Sequence, residues 1–321
     1  MRGPESQEHR PTRRQKRDLA NQARFAKERR RTIKLIAGGV IAGTGLAVGY
    51  QTGIFESFFG RVEESSGEVN QTKNLLFRWD GELKLNPKER ENYFRRTKDL
   101  AITFFSRQMG YDPQMFQSRV ELTGRKEFFE KFTVFQCQQE DETVPGFVSV
   151  LDDKAFINKD DKGFSQESDN LKRFFAVITH ELFHLAPPKK HHAEPISVLK
   201  ISKPVTYEKG LTAYSLPEPG SQCLTIYRTF FEEAVVDDAT SRLTLSLGFT
   251  VPTGHEELNQ RYRQGVLSLY AGNHRELLGY QQRSDAEGFF RSVGEKIGGQ
   301  EIKDASILGS DYLIRYFQGA R

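Results

Sequence analysis

Asn170 to Leu185 reads as a helix built to be buried. Leu171, Phe174, Phe175, Ile178, Leu182 and Leu185 recur at three- and four-residue intervals, the period of a single helical face. Asp169 stands at the cap position and Pro187-Pro188 stops the run. So much apolar surface on one side obliges the chain to supply a core around it. On the adjoining stripe lies His180-Glu181-Leu182-Phe183-His184, an H-E-x-x-H. Residues four apart stand one above the other on a helix, so both imidazoles reach one metal ion. Glu181 is turned about 100° from His180, beside the metal rather than on it. A general base that takes a proton from water belongs there.

A catalytic zinc takes three protein ligands and keeps a fourth position open. The metzincin arrangement would place a third histidine six residues past His184, but that residue is Lys190, and Pro187 stands where the turn glycine would be. Downstream, Tyr227 to Leu243 reads as a second helix, with Glu233 and Asp237 four apart on one face. One carboxylate there can ligate zinc while the other accepts the N–H of a ligating imidazole. Glu232 has Val236 four residues on and no carboxylate companion, so it is expected to leave metal binding unaffected. The same is expected of His191 and His192, which follow the helix-ending prolines.

At these residues the sequence resembles the gluzincins, the thermolysin-like branch of the zincin metallopeptidases. In that family an H-E-x-x-H helix is followed by a helix of the form N-E-A-x-x-D. Glu233-Ala-Val-Val-Asp237 matches its last five positions, and Glu232 stands where the family has Asn. The resemblance implies zinc (Zn2+) held by His180, His184 and Glu233, Glu181 as catalytic base, and Asp237 supporting a ligating histidine. It also implies an α+β zincin-like domain, a small sheet plus the H-E-x-x-H helix, that hydrolyses protein or peptide substrates as a zinc metalloendopeptidase. Tyr214, Tyr227, His191, His192 and His255 are the candidates for the family's oxyanion-stabilising Tyr or His. The alternatives are a tethered, non-catalytic domain with a closed zinc site, completed by His191 or His192, and a metal-free binding or scaffold domain.

The rest of the chain is organised around that body. Residues 1–34 carry twelve Lys/Arg against four acids, and the other 287 residues carry 35 against 39. A basic arm on a mildly acidic body is an address or anchor rather than a basic enzyme surface. With Phe25 as its sole aromatic and no folded motif, the arm is not read as a nucleic-acid binder. Residues 35–54 are uncharged and near the ~20 needed to span a bilayer, which predicts a single transmembrane helix with the arm cytoplasmic and the body outside. Ala47-Val48-Gly49 offers the competing reading of a cleaved export signal. Gly39/Gly43 and Gly45/Gly49 are spaced for a helix-mediated homodimer.

Residues 55–72 read as a polar linker and 73–321 as the folded domain. Within it, short strands at 146–152 and 154–158 flank an Asp-Asp turn, and helices are expected at 87–109, 256–270, 274–282, 285–297 and 305–317. Strands first and helices later predict an α+β body with a helical C-terminal half. Two cysteines exclude a disulfide-framed miniprotein and a four-cysteine zinc module. If the body is exported, Cys137 and Cys223 are expected to pair.

Overall fold

In the computed structural model, the described residues are 62–136, 144–164, 170–196, 205–215, 224–227, 229–250, 267, 269, 270 and 273–297. The basic arm, the expected anchor at 35–54, Cys137, Cys223 and the expected helix at 305–317 lie outside them, as does nearly all of that at 256–270. Among the described residues no helix is long and apolar enough to cross a membrane.

The body opens with a long helix, α1 (Val62–Leu85), and a short 3-10 turn (Pro87–Glu89) leads into α2 (Arg90–Met109). A single-turn helix, α3 (Gln114–Gln117), precedes β1 (Val120–Thr123), α4 (Arg125–Gln136), β2 (Gly146–Ser149) and β3 (Lys154–Asn158). Then come α5 (Asn170–Leu185), β4 (Lys190–Ile196), β5 (Val205–Lys209), β6 (Thr212–Ser215) and β7 (Thr225–Tyr227). The last described elements are α6 (Thr229–Ser246), α7 (His274–Gln282) and α8 (Ala286–Ile297).

This order corrects the expected fold class. The zincin-like α+β body, strands first and helices later behind a transmembrane helix, is not what the described residues form. They are mostly helical, helices open the body, and the strands fall into two small sheets set between helices. The polar stretch read as linker is helical from Val62 onward. Its Ser, Gly and Glu residues belong to the first turns of α1, whose buried face begins with Thr72, Leu76, Trp79 and Leu83. Linker composition and an exposed helical face look alike when the apolar stripe starts late.

The first sheet has the order β1-β3-β2, with β1 parallel and β2 antiparallel to β3. The β2–β3 connection is the expected Asp-Asp turn, in which Asp152 accepts from Ser149 Oγ at 2.7 Å and Asp153 takes a left-handed φ of 54°. The second sheet is an antiparallel meander, β4-β5-β6-β7.

Helix α5 is the hub, packed on α2, α1, α6, β2 and β3. All six residues of its apolar stripe are fully buried. The rings of Phe94 and Phe174 stack at 4.2 Å, and Phe105 meets Phe183 edge-on at 4.9 Å. Each large side chain so buried stabilises by roughly 1.5–3 kcal/mol, so the core dictates where α5 lies. A smaller aromatic cluster, Phe128, Phe129, Phe132, Phe147 and Phe156, packs α4 onto the first sheet and reaches Tyr207 and Tyr214 of the second.

Other elements close both ends of α5. At its start, Asp80 on α1 accepts the Leu171 N–H at 3.0 Å. At its end, Lys209 on β5 donates to the carbonyls of Leu185 (3.0 Å) and Pro187 (2.7 Å), and Arg119 donates to Leu185 at 3.2 Å. An acid at the positive end of the helix dipole and two bases at the negative end are the favourable arrangement. Asp153 holds both bases, at 2.7 Å from Arg119 and 3.1 Å from Lys209.

Candidate metal centre

Because α5 runs unbroken from Asn170 to Leu185, His180 and His184 stand one turn apart with both Nε2 atoms turned the same way, 3.1 Å from each other. Helix α6 packs beside α5 and brings in Glu233. Its Oε2 lies 3.2 Å from His180 Nε2 and its Oε1 lies 3.4 Å from His184 Nε2. These three residues are the one group of potential metal-binding side chains among the described residues. Ligands about 2.0–2.1 Å from a tetrahedral ion stand about 3.3 Å from one another. The two imidazole nitrogens, 3.1 Å apart, fit that figure, and Glu233 turns one carboxylate oxygen toward each of them, Oε2 at 3.2 Å and Oε1 at 3.4 Å. Two imidazole nitrogens and a carboxylate oxygen are also a suitable donor set for a small divalent cation.

Each imidazole has a carboxyl group behind it. His180 Nδ1 lies 3.3 Å from Asp237 Oδ1, at ion-pair distance but without hydrogen-bond alignment, and both atoms are buried without another partner. A small turn of the ring toward a bound cation would align them. Behind His184, Nδ1 lies 3.3 Å from Glu232 Oε1. The sequence reading gave Glu232 no role, and here the structure corrects it. Glu232 is buried and accepts from the Leu211 N–H and from Gln281 Nε2 as well. Gly210 makes room for it, since a Cβ there would come within 2.4 Å of its carboxylate oxygens, and the φ of +60° also favours glycine. One signal could have exposed Glu232. Two ligating imidazoles need two acceptors, and Asp237 supplies one.

The electrostatics follow the packing. Burial alone would lower both histidines, but the carboxylates overcome it. Glu233 and Asp237 raise His180 well above its ordinary value, and Glu233 and Glu232 raise His184 to about 10. Glu233 is held well below the usual carboxylate range by the two histidines, against the pull of burial. This is a pocket in which carboxylates demand positive charge, from protons or from a cation.

Glu181 is buried beside the donors, and burial pushes its carboxyl group up. Among the described residues no hydrogen bond ties its carboxylate down. Its place is shaped by Gly146, the first residue of β2, where a Cβ would come within 3.0 Å of Glu181 Cγ and Oε1. Tyr214 on β6 is half-buried, and burial together with the charges of Glu232 and Glu233 raises its phenol, which keeps its proton at neutral pH.

The structure thus brings His180, Glu181, His184, Glu233 and Asp237 together. It takes His191 and His192 elsewhere, to β4, where His191 packs on Tyr207 at 5.0 Å and His192 faces Glu208 at 3.3 Å. His255 lies outside the described residues. No protein-family model, curated protein or solved structure matches this chain, so the interpretation of the site rests on its own geometry.

Proposed function

We propose that the protein is a zinc-dependent metalloendopeptidase. The observation that carries this reading is the convergence of His180 Nε2, His184 Nε2 and the Glu233 carboxylate within 3.4 Å, with Glu181, whose carboxylate no hydrogen bond among the described residues ties down, alongside. Among the described residues no fourth His, Cys, Asp or Glu completes the group, which favours an open, catalytic site over a closed, structural one. Zinc, when bound, supplies Lewis-acid chemistry that polarises a scissile carbonyl and acidifies water.

The chain's own residues do the rest. Glu181 takes the proton of the attacking water and returns it to the leaving amine, a role suited to a carboxyl group raised by burial. Tyr214, protonated at neutral pH, is the candidate donor to the developing oxyanion. Strand β2 pairs with β3 alone among the described strands, and its first residue abuts Glu181. An extended peptide added along the other edge of β2 would run past the base, which suits a protein or peptide substrate.

The deciding experiment is metal analysis of the full chain, followed by digestion of an unstructured protein substrate. The expected result is about one zinc per chain and cleavage that stops with a chelator, returns with zinc and is absent in Glu181→Gln, which still binds zinc. Wild-type rates in Glu181→Gln, or cleavage unaffected by chelation, would remove the proposal.

A further inference from the structure

Gln281 is a polar side chain in a place that ordinarily excludes one. It lies on α7, is fully buried, and sits beyond the residues that touch the metal donors. A buried amide is costly unless its hydrogen bonds are made, so its partners explain its presence. Its Nε2 lies 2.8 Å from the Phe183 carbonyl of α5 and 2.7 Å from Glu232 Oε1 of α6.

A backbone carbonyl only accepts and an ionised carboxylate only accepts, so the nitrogen of Gln281 must face them. Its oxygen then needs a donor, and Gln282 Nε2 supplies one at 2.7 Å. The Gln282 oxygen in turn accepts from the hydroxyl of Tyr111, just beyond the end of α2. Every donor in this series points the same way, from Tyr111 through Gln282 and Gln281 to Glu232. Glu232 is left as an acceptor facing His184 Nδ1. An Nδ1–H donated to Glu232 leaves the Nε2 lone pair of His184 directed at the other two donors.

We propose that Gln281, oriented by Gln282 and Tyr111, is a positioning residue of the metal centre that acts through Glu232 to fix the tautomer and ring orientation of His184. The inference rests on the metal reading above. It extends the site to α7 and to the chain just beyond α2, which no spacing motif connects to an H-E-x-x-H.

The test is the zinc dissociation constant of the full chain, measured by competition with a chromophoric chelator. Gln281→Met, which keeps volume but loses all three hydrogen bonds of the amide, is expected to weaken zinc roughly 10-fold, and Glu232→Ala about 10–100-fold. Tyr111→Phe should weaken it in the same direction by a smaller factor. Adding Gln281→Met to Glu232→Ala should change the affinity by less than about 2-fold, because the path through Glu232 is already cut.

A role confined to holding α7 in the core would lower the thermal midpoint of the metal-free protein, leave the zinc constant of the single variant at the wild-type value, or add its full effect in the double variant. Either affinity result overturns the inference and spares the metal reading. If Gln281→Met does not fold, Tyr111→Phe alone and combined with Glu232→Ala decides by the same criteria. Wild-type chain that takes up no zinc overturns the metal reading, and this inference with it.

Discussion

An imidazole that ligates through Nε2 has a second nitrogen to satisfy, and the two histidines here meet that need with different residues of one helix. Asp237 stands behind His180 and Glu232 behind His184, while Glu233 between them faces the donors. Glu233→Ala should therefore empty the site, whereas Asp237→Ala and Glu232→Ala should each weaken zinc about 10–100-fold, measured as metal retained after dialysis against graded chelator. Full occupancy in Glu233→Ala would sink the ligand assignment. Gly146 tests the base instead. The backbone of α5 is fixed by its buried stripe, so a methyl group 3.0 Å from Glu181 Cγ forces the carboxylate aside. Gly146→Ala should lower kcat several-fold, because a carboxylate pushed aside by even a few tenths of an ångström loses part of its alignment, with zinc still bound. Undiminished turnover would show that the position of Glu181 does not matter to the reaction. At this scale the sequence was legible wherever the spacing is local. His180, Glu181 and His184 follow from helical geometry, and Glu233 with Asp237 from a second four-residue spacing. Glu232 escaped because its partners, Leu211 in the β5–β6 turn and Gln281 on α7, approach it in a way no periodicity describes.

Among the helices, α5 and α7 begin and end where their sequences say. The stripe from Leu171 to Leu185 leads into Pro187-Pro188, and Asn273 caps α7 by accepting the Glu276 N–H. No part of helix α1 was expected, because its first turns have the composition of a linker and its buried face begins only at Thr72. The groups that close the two ends of α5 were hidden, since Asp80 and Lys209 lie far away in the chain. Lys209 gives a direct prediction. Lys209→Met strips a donor from two buried carbonyls while Asp153 keeps Arg119, and should destabilise by about 1–3 kcal/mol in urea unfolding. An unchanged midpoint would mean that the tie contributes nothing.

A second prediction concerns the joint between α6 and α7. Asp238 lies 3.0 Å from His274 Nδ1 and 2.8 Å from Arg242 Nε. Burial opposes its ionisation, but His274 and Arg242 hold its carboxyl group below the ordinary 3.8. A depressed carboxylate contributes stability that is complete above its unfolded value and is lost as pH falls through the folded one. The stability gap between wild type and Asp238→Asn should stay level from neutral pH down to about pH 4 and close below it. A gap independent of pH down to acid unfolding would contradict this.

At the scale of the molecule, the candidate metal centre joins α5, which carries the main core, to α6, whose Phe231, Val235 and Val236 pack into the same core. The helices are therefore placed by apolar burial, and a cation held as proposed would add to that packing. At zinc about 1,000-fold above its dissociation constant, binding should stabilise the protein by about 4 kcal/mol, read as a rise in thermal midpoint that a chelator reverses. No rise would argue that the three donors do not act as a site. The global arrangement was the least legible part of the sequence. Strands of three to seven residues carry too little pattern to reveal which partners they choose, and β1 pairs in parallel with β3 across α4 and β2.

The tie at Lys209 also sets an order of events during synthesis. Helix α5 leaves the ribosome after α1, so Asp80 is ready to meet its first turn. Its far end waits for Lys209, which lies 24 residues beyond Leu185. Glu233 follows His180 by 53 residues, and Gln281 follows Glu232 by 49. A nascent chain thus presents His180, Glu181 and His184 before the carboxylates of α6 that will face them. The three donors can meet only once α6 has been made, and the tie from Gln281 to Glu232 closes later still.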